Sequence, residues 1–140
     1  MKQELTEKLT SKYHDMFHAD GRGEAKPTMH RNVIYCGDGW FDILWKLCEE
    51  LYAMGPKVLQ IKEKFGDLRF HAVFPADYTK QGWECIRKAE EEASETCEDC
   101  GKPGELRIND GWRSTECDSC HEIKLKRLCE DKKNNNDPVG

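Results

Sequence analysis

Apolar residues recur at helical spacing at Leu5, Leu9, Tyr13, Met16 and Phe17, which predicts an amphipathic helix over residues 3–18. Asp20-Gly21-Arg22-Gly23 ends it, and a loop to about Arg31 leads to a short β-prone run, Val33-Ile34-Tyr35. The heaviest apolar segment is Trp40 to Met54. Trp40, Phe41, Ile43, Leu44, Trp45, Leu47, Cys48, Leu51 and Tyr52 cover most of its circumference, so this helix is expected at the centre of the core, with Trp45 inside it. Gly55-Pro56 stops it. The pattern then changes to period two over residues 57–63 and 68–74, with Lys64-Phe65-Gly66-Asp67 between them. This predicts a β-hairpin with Leu59, Ile61, Phe70 and Ala72 on its apolar face. A further helix from Tyr78 to Ser94 carries Trp83, Ile86, Ala89 and Ala93 along one side and glutamates on the other.

Beyond that helix the hydrophobic pattern thins out and cysteine spacing takes over. Cys97 and Cys100, then Cys117 and Cys120, form two C-x2-C pairs separated by sixteen residues. Each pair aims two sulfurs at one point from a single tight turn, and two such knuckles close a tetrahedral S4 site suited to Zn2+. The intervening segment reads as a hairpin. Gly101-Lys102-Pro103-Gly104 has turn chemistry, Leu106 to Asn109 can be extended, Asp110-Gly111 turns the chain and Trp112 to Thr115 returns. This is the layout of a zinc ribbon. Two disulfides or four free thiols are the alternatives. Four sulfur ligands leave no open position for water, so the expected metal is structural rather than catalytic. His121 to Cys129 is expected as a short basic helix carrying Lys124, Lys126 and Arg127.

Composition narrows the class. The chain has 140 residues, 37% hydrophobic and 35% charged, enough for one domain with a real core. The expected organisation is a single α+β domain. Residues 1–96 form the core, 97–129 a zinc ribbon and basic helix packed on it, and 130–140 a disordered tail. The polar N-terminus lacks a secretory pattern and no apolar run approaches the ~20 residues of a membrane span. Reduced thiols, bound metal and a cytoplasmic location are therefore expected. A net charge of −5 argues against general affinity for nucleic acid or anionic membrane, but leaves room for a local basic patch.

The best such patch is Lys62, Arg69 and His71, which a two-residue period places on the outer hairpin face beside Gln60, with Lys64 close by. Arg69 offers a planar fork for phosphate or carboxylate. The competing reading is an ordinary solvated face balanced by glutamates. The loop Cys36-Gly37-Asp38-Gly39-Trp40 also has two readings. Asp38 caps the following helix, or the glycines admit an anion to a helix N-terminus. The first is favoured because a capping carboxylate would itself fill the anion position. His14 and His18 share a helix face but lack the glutamate of a zinc-hydrolase motif, which favours a surface pair. Cys48 and Cys85 read as small core hydrophobes, and Cys36 with His30 is a weak second metal candidate. Asp38, Glu63 and Lys64 faintly resemble a metal-dependent nuclease set, in the wrong strand context.

Taken together, C-G-D-G-W, a helix ending L-C-E-E-L, I-K-E-K-F-G-D-L-R-F, C-E-D-C-G-K-P-G-E-L-R and G-W-R-S-T-E-C-D-S-C resemble a group of small, functionally uncharacterised phage and prophage proteins over about Ile34 to Cys120. The resemblance implies a phage-encoded accessory protein in bacterial host cytoplasm, in host takeover or anti-defence. It carries no catalytic role. The expected partner is a host protein or a nucleotide-containing ligand. Nucleic-acid binding through hairpin and ribbon is the alternative, and a small hydrolase or nuclease a third reading. The sequence leaves the oligomeric state open.

Overall fold

The computed structural model describes residues 1–17, 34–109 and 111–135. The expected terminator Asp20–Gly23, the loop to Arg31, Val33, the candidate ligands His18 and His30, Asp110 and the last five residues lie outside them.

The first helical pattern folds as two pieces, α1 (Gln3–Lys12) and α2 (His14–Phe17), rather than one helix. The break is at Tyr13, whose backbone leaves helical geometry at φ −112°, ψ 44°. Its ring lies 5.5 Å from that of Trp45 and 5.8 Å from that of Tyr52. Aromatic packing there competes with helical continuity. Leu9, Met16 and Phe17 are buried as their spacing requires.

The chain continues through β1 (Ile34–Tyr35), a 3-10 turn over Asp38–Trp40 and α3 (Phe41–Tyr52). Strands β2 (Lys57–Lys64) and β3 (Asp67–Val73) form the expected antiparallel hairpin. Its two-residue turn has positive φ at both Phe65 (55°) and Gly66 (84°), the geometry that matches strand twist. β1 adds in parallel to β2, giving a three-stranded sheet in the order β1-β2-β3. Ile34, Ile61 and Phe70 stand in one register row, all buried, and define the inner face. That face, with Leu68 and Ala72, joins Leu44, Leu47 and Leu51 of α3 and Ile86, Ala89 and Ala93 of α4 (Thr79–Ser94) in one core.

Three core assignments need correction. Trp45 is only partly buried, and the wholly buried tryptophan is Trp40 at 0% exposure. Trp40 precedes the regular helix, where the 3-10 turn aims it inward and its Nε1 donates to Thr96 O at 2.9 Å. Leu59 is 53% exposed because the register slips between Val58 and Gln60. This bulge reverses the alternation, so Val58 takes the inner position. Trp83 is exposed as well. Gly82 faces inward in its place, leaving room for the Phe74 ring, which an added Cβ would meet at 2.3 Å.

After α4 come β4 (Glu105–Asn109) and β5 (Trp112–Glu116), a separate two-stranded antiparallel sheet. The last element, α5, spans Asp118–Asn135. It is longer than the expected short helix over 121–129, and continues into the segment read as a disordered tail from residue 130. The mixture of helices, hairpin and C-terminal cysteine quartet is the α+β architecture expected. Among the described residues no helix is long and apolar enough to cross a membrane.

Candidate metal centre and its seat on the core

The four cysteines converge. The sulfurs of Cys97, Cys100, Cys117 and Cys120 all lie within 4.8 Å of one another, with Cys100 and Cys117 at 3.5 Å. A tetrahedral ion with metal–sulfur bonds of about 2.3 Å needs sulfurs about 3.8 Å apart, so the quartet is clustered closely enough to hold a four-coordinate metal. Cys97, Cys100, Cys117 and Cys120 are free thiols, not disulfides. Each knuckle is built locally. Gly101 takes φ +82° and donates to Cys97 O at 2.9 Å, while Cys97 N–H donates to Lys102 O at 2.7 Å. In the second knuckle Cys120 N–H points at Cys117 Sγ at 3.4 Å and His121 N–H donates to Cys117 O.

Of these amides, that of Cys120 points at a sulfur and favours thiolate character at Cys117. Hydrogen bonding from the Cys120 amide, opposed by burial and assisted by neighbouring thiols, pulls the Cys117 thiol down to about 7. Burial and the same neighbours push Cys120 up. Burial also pushes the lone thiols Cys36 and Cys48 up to about 12. Among the described residues no other His/Cys/Asp/Glu group converges as the quartet does.

The segment that looked like a ligand loop is the seat of the first knuckle. Gly39 N–H donates to Glu98 O at 2.6 Å, and Gly37 N–H donates to Glu98 Oε1 at 2.9 Å. A Cβ on Gly39 would lie 2.1 Å from Cys97 O, and one on Gly37 2.4 Å from Glu98 O. Both glycines thus serve close backbone approach, with no space for an anion. Asp38 does not cap α3. Its Oδ1 accepts from Lys2 N–H at 2.7 Å, tying down the start of α1 instead. Burial, offset in part by the Gly37 hydrogen bond and reinforced by Glu63 and Asp99, pushes the Glu98 carboxyl up to about 7.

The sheet hairpin supplies a second seat. Thr115 Oγ1 donates to Gly66 O at 2.7 Å, and a Cβ on Gly66 would lie 2.6 Å from Leu106 Cδ1. Glu63 caps the same turn by accepting from Gly66 N–H. A third tie runs to α5. Glu116, 1% exposed, accepts from Ser114 and from Lys124 Nζ, and lies 3.4 Å from His121 Nδ1. Burial opposes its charge, but these three neighbours outweigh it and hold the carboxyl below its ordinary range. Lys124, expected on a short basic helix, pairs with Glu116 and Asp99. Asp38, Glu63 and Lys64 do not form a catalytic cluster: the first two hold backbone amides, and Lys64 Nζ lies over the Phe65 ring.

Lys62, Arg69 and His71 stand on the outer sheet face, as the alternation requires. Lys62 is paired in register with Arg69, and Gln60 with His71. Arg69 and His71 are exposed, Lys62 half-buried. Arg69 has an acidic neighbour in Glu90 of α4, whose carboxyl it pulls down against the larger, opposing effect of burial. Sequence reasoning missed Glu98, Thr96 and Glu116, which are partners rather than motifs. It also missed the place of Tyr35, which the parallel pairing sets directly beside Lys62. The paired glycines around Asp38 were the available signal for a close backbone approach. Comparison of the chain with protein-family models, with curated proteins and with solved structures finds no match.

Proposed function

We propose that this chain is a zinc-stabilised accessory protein of phage type. It acts by recognition in the host cytoplasm, on a host protein or a nucleotide-containing ligand, in host takeover or anti-defence. Zinc is the reading of the quartet because four clustered cysteine sulfurs suit that ion. With all four positions filled by protein, the metal holds the ribbon and does no chemistry on a substrate.

The observation that carries recognition is the outer sheet face, where Lys62, Arg69 and His71 share one side of an acidic protein. Neither Arg69 nor His71 is needed for the core behind them, since the inner rows are complete without them. Arg69→Ala should leave metal content and unfolding midpoint unchanged, yet weaken partner binding by more than ~1.5 kcal/mol, the scale of a charge-assisted hydrogen bond. The partner is recovered from infected-cell extract by mass spectrometry covering proteins and small molecules, then titrated at two salt concentrations. Equal affinity of parent and variant at both would remove the sheet face from the recognition surface.

A further inference from the structure

The outer face of the three-stranded sheet carries a row that the hairpin alone could not reveal. The pairings Tyr35↔Lys62 and Lys62↔Arg69 place a tyrosine, a lysine and an arginine side by side across β1, β2 and β3. The next residue inward on each strand, Ile34, Ile61 and Phe70, is buried, so the alternation fixes the outward direction of all three. Strands are about 4.8 Å apart, so the row spans about 10 Å between the backbones of β1 and β3. Tyr35 is 51% exposed, although a tyrosine beside a buried strand pair could have been folded under. His71 and Gln60 form the adjoining row. The acids that face this surface are Asp67, in register with Lys64, and Glu90, beside Arg69.

We infer that this face binds single-stranded nucleic acid, with Tyr35 at one end of the row stacking on a base while Lys62 and Arg69 hold the phosphates that follow on one side of it. The inference rests on the reading of the sheet face as the recognition surface, and names its ligand class. An exposed aromatic ring at the end of a row of cations on an open sheet matches what an unpaired strand offers: a stackable base and, beyond it, successive phosphates. A duplex hides its bases from such a ring. The net charge of −5 also disfavours the many phosphate contacts a duplex would bring. Few phosphates are engaged, so salt dependence is shallow: two contacts give a slope of about −1.4 in log affinity against log salt.

The test uses the full, metal-loaded chain and fluorescent oligonucleotides of about ten nucleotides, as DNA and as RNA. The corresponding duplex and a mononucleotide serve as comparators. Binding of the single strand in preference to both comparators is expected. Tyr35→Ala should weaken it about tenfold with an unchanged salt slope, while Tyr35→Phe, which keeps the ring, stays close to the parent. Arg69→Ala should weaken it and reduce the slope by about 0.7. Unchanged circular dichroism and metal content establish that each variant is folded. Failure of any oligonucleotide to bind at low salt overturns the inference, as does a mononucleotide binding as tightly as the strand. If Arg69→Ala then still loses a protein partner, the sheet face survives as a recognition surface and only the nucleic-acid reading falls. If strands bind but neither Tyr35→Ala nor Arg69→Ala alters affinity, the strands bind elsewhere and the nucleic-acid reading of this face is overturned.

Discussion

The two hairpins of this chain obey opposite rules. In β2–β3 the buried side chains are Val58, Ile61, Leu68, Phe70 and Ala72, and the polar residues face out except Glu63, in register with Leu68. In β4–β5 the buried side chains include Ser114, Thr115 and Glu116, while Leu106, Ile108 and Trp112 are exposed, the last at 68%. The first hairpin is held by apolar burial against α3 and α4. The second has no comparable apolar face turned inward. It is held by the cysteine quartet, by Glu98 against the glycine loop, by Thr115 on the Gly66 carbonyl, and by the charged group around Glu116. One half of the molecule is stabilised by a non-directional effect that tolerates conservative substitution. The other depends on directional bonds that tolerate little.

The sharpest break of this contrast is metal removal. Cys117→Ser, or a strong chelator on the parent, should release about one equivalent of metal and unfold β4–β5 and its seat, since structural zinc sites contribute on the order of 10 kcal/mol to folding. Protein that purifies without metal when reduced, and keeps its ribbon amide signals, would contradict it. Next come core truncations. Trp40→Ala and Phe70→Ala should each cost about 3–5 kcal/mol in denaturant unfolding, whether or not chelator is present. Trp45→Ala, on a partly buried ring, should cost clearly less than Trp40→Ala; the reverse order would reinstate Trp45 as the central tryptophan.

Gly39→Ala tests the joint between the two regions. Its Cβ would lie 2.1 Å from Cys97 O, so the knuckle must shift, at about 1–3 kcal/mol, with weaker metal retention in competition with a chromogenic chelator. An unaffected variant would show that the glycine loop is not the seat. The smallest effect is expected at Leu59→Ser. The bulge turns this residue outward, so the unfolding midpoint should move by no more than about 0.5 kcal/mol equivalent. A loss of 2 kcal/mol or more would put Leu59 back on the inner face.

Much of this was legible in the sequence because it is set by local chemistry. The C-x2-C spacing fixes where two sulfurs point from one turn, and Cys97, Cys100, Cys117 and Cys120 meet as that spacing requires. Period two and a glycine at the turn gave the β2–β3 hairpin, and helical spacing gave α3 and α4. What the tertiary structure alone decided are choices between locally equivalent options. Trp40 and Trp45 both lie on apolar positions, and only the distant Thr96 carbonyl and the 3-10 turn select the first for full burial. Alternation counted through Leu59 is a sound rule until one bulged residue reverses it, and no local signal marks that residue. Asp38 has the chemistry of a cap, but which amide it meets depends on where Lys2 arrives. Tyr35 and Arg69 are far apart along the chain, and the parallel docking of β1 is what brings them into one row. Spacing along the chain encodes geometry within a turn or an element, whereas pairings between distant segments are settled by the free energy of the whole packed arrangement, which no short window of sequence contains.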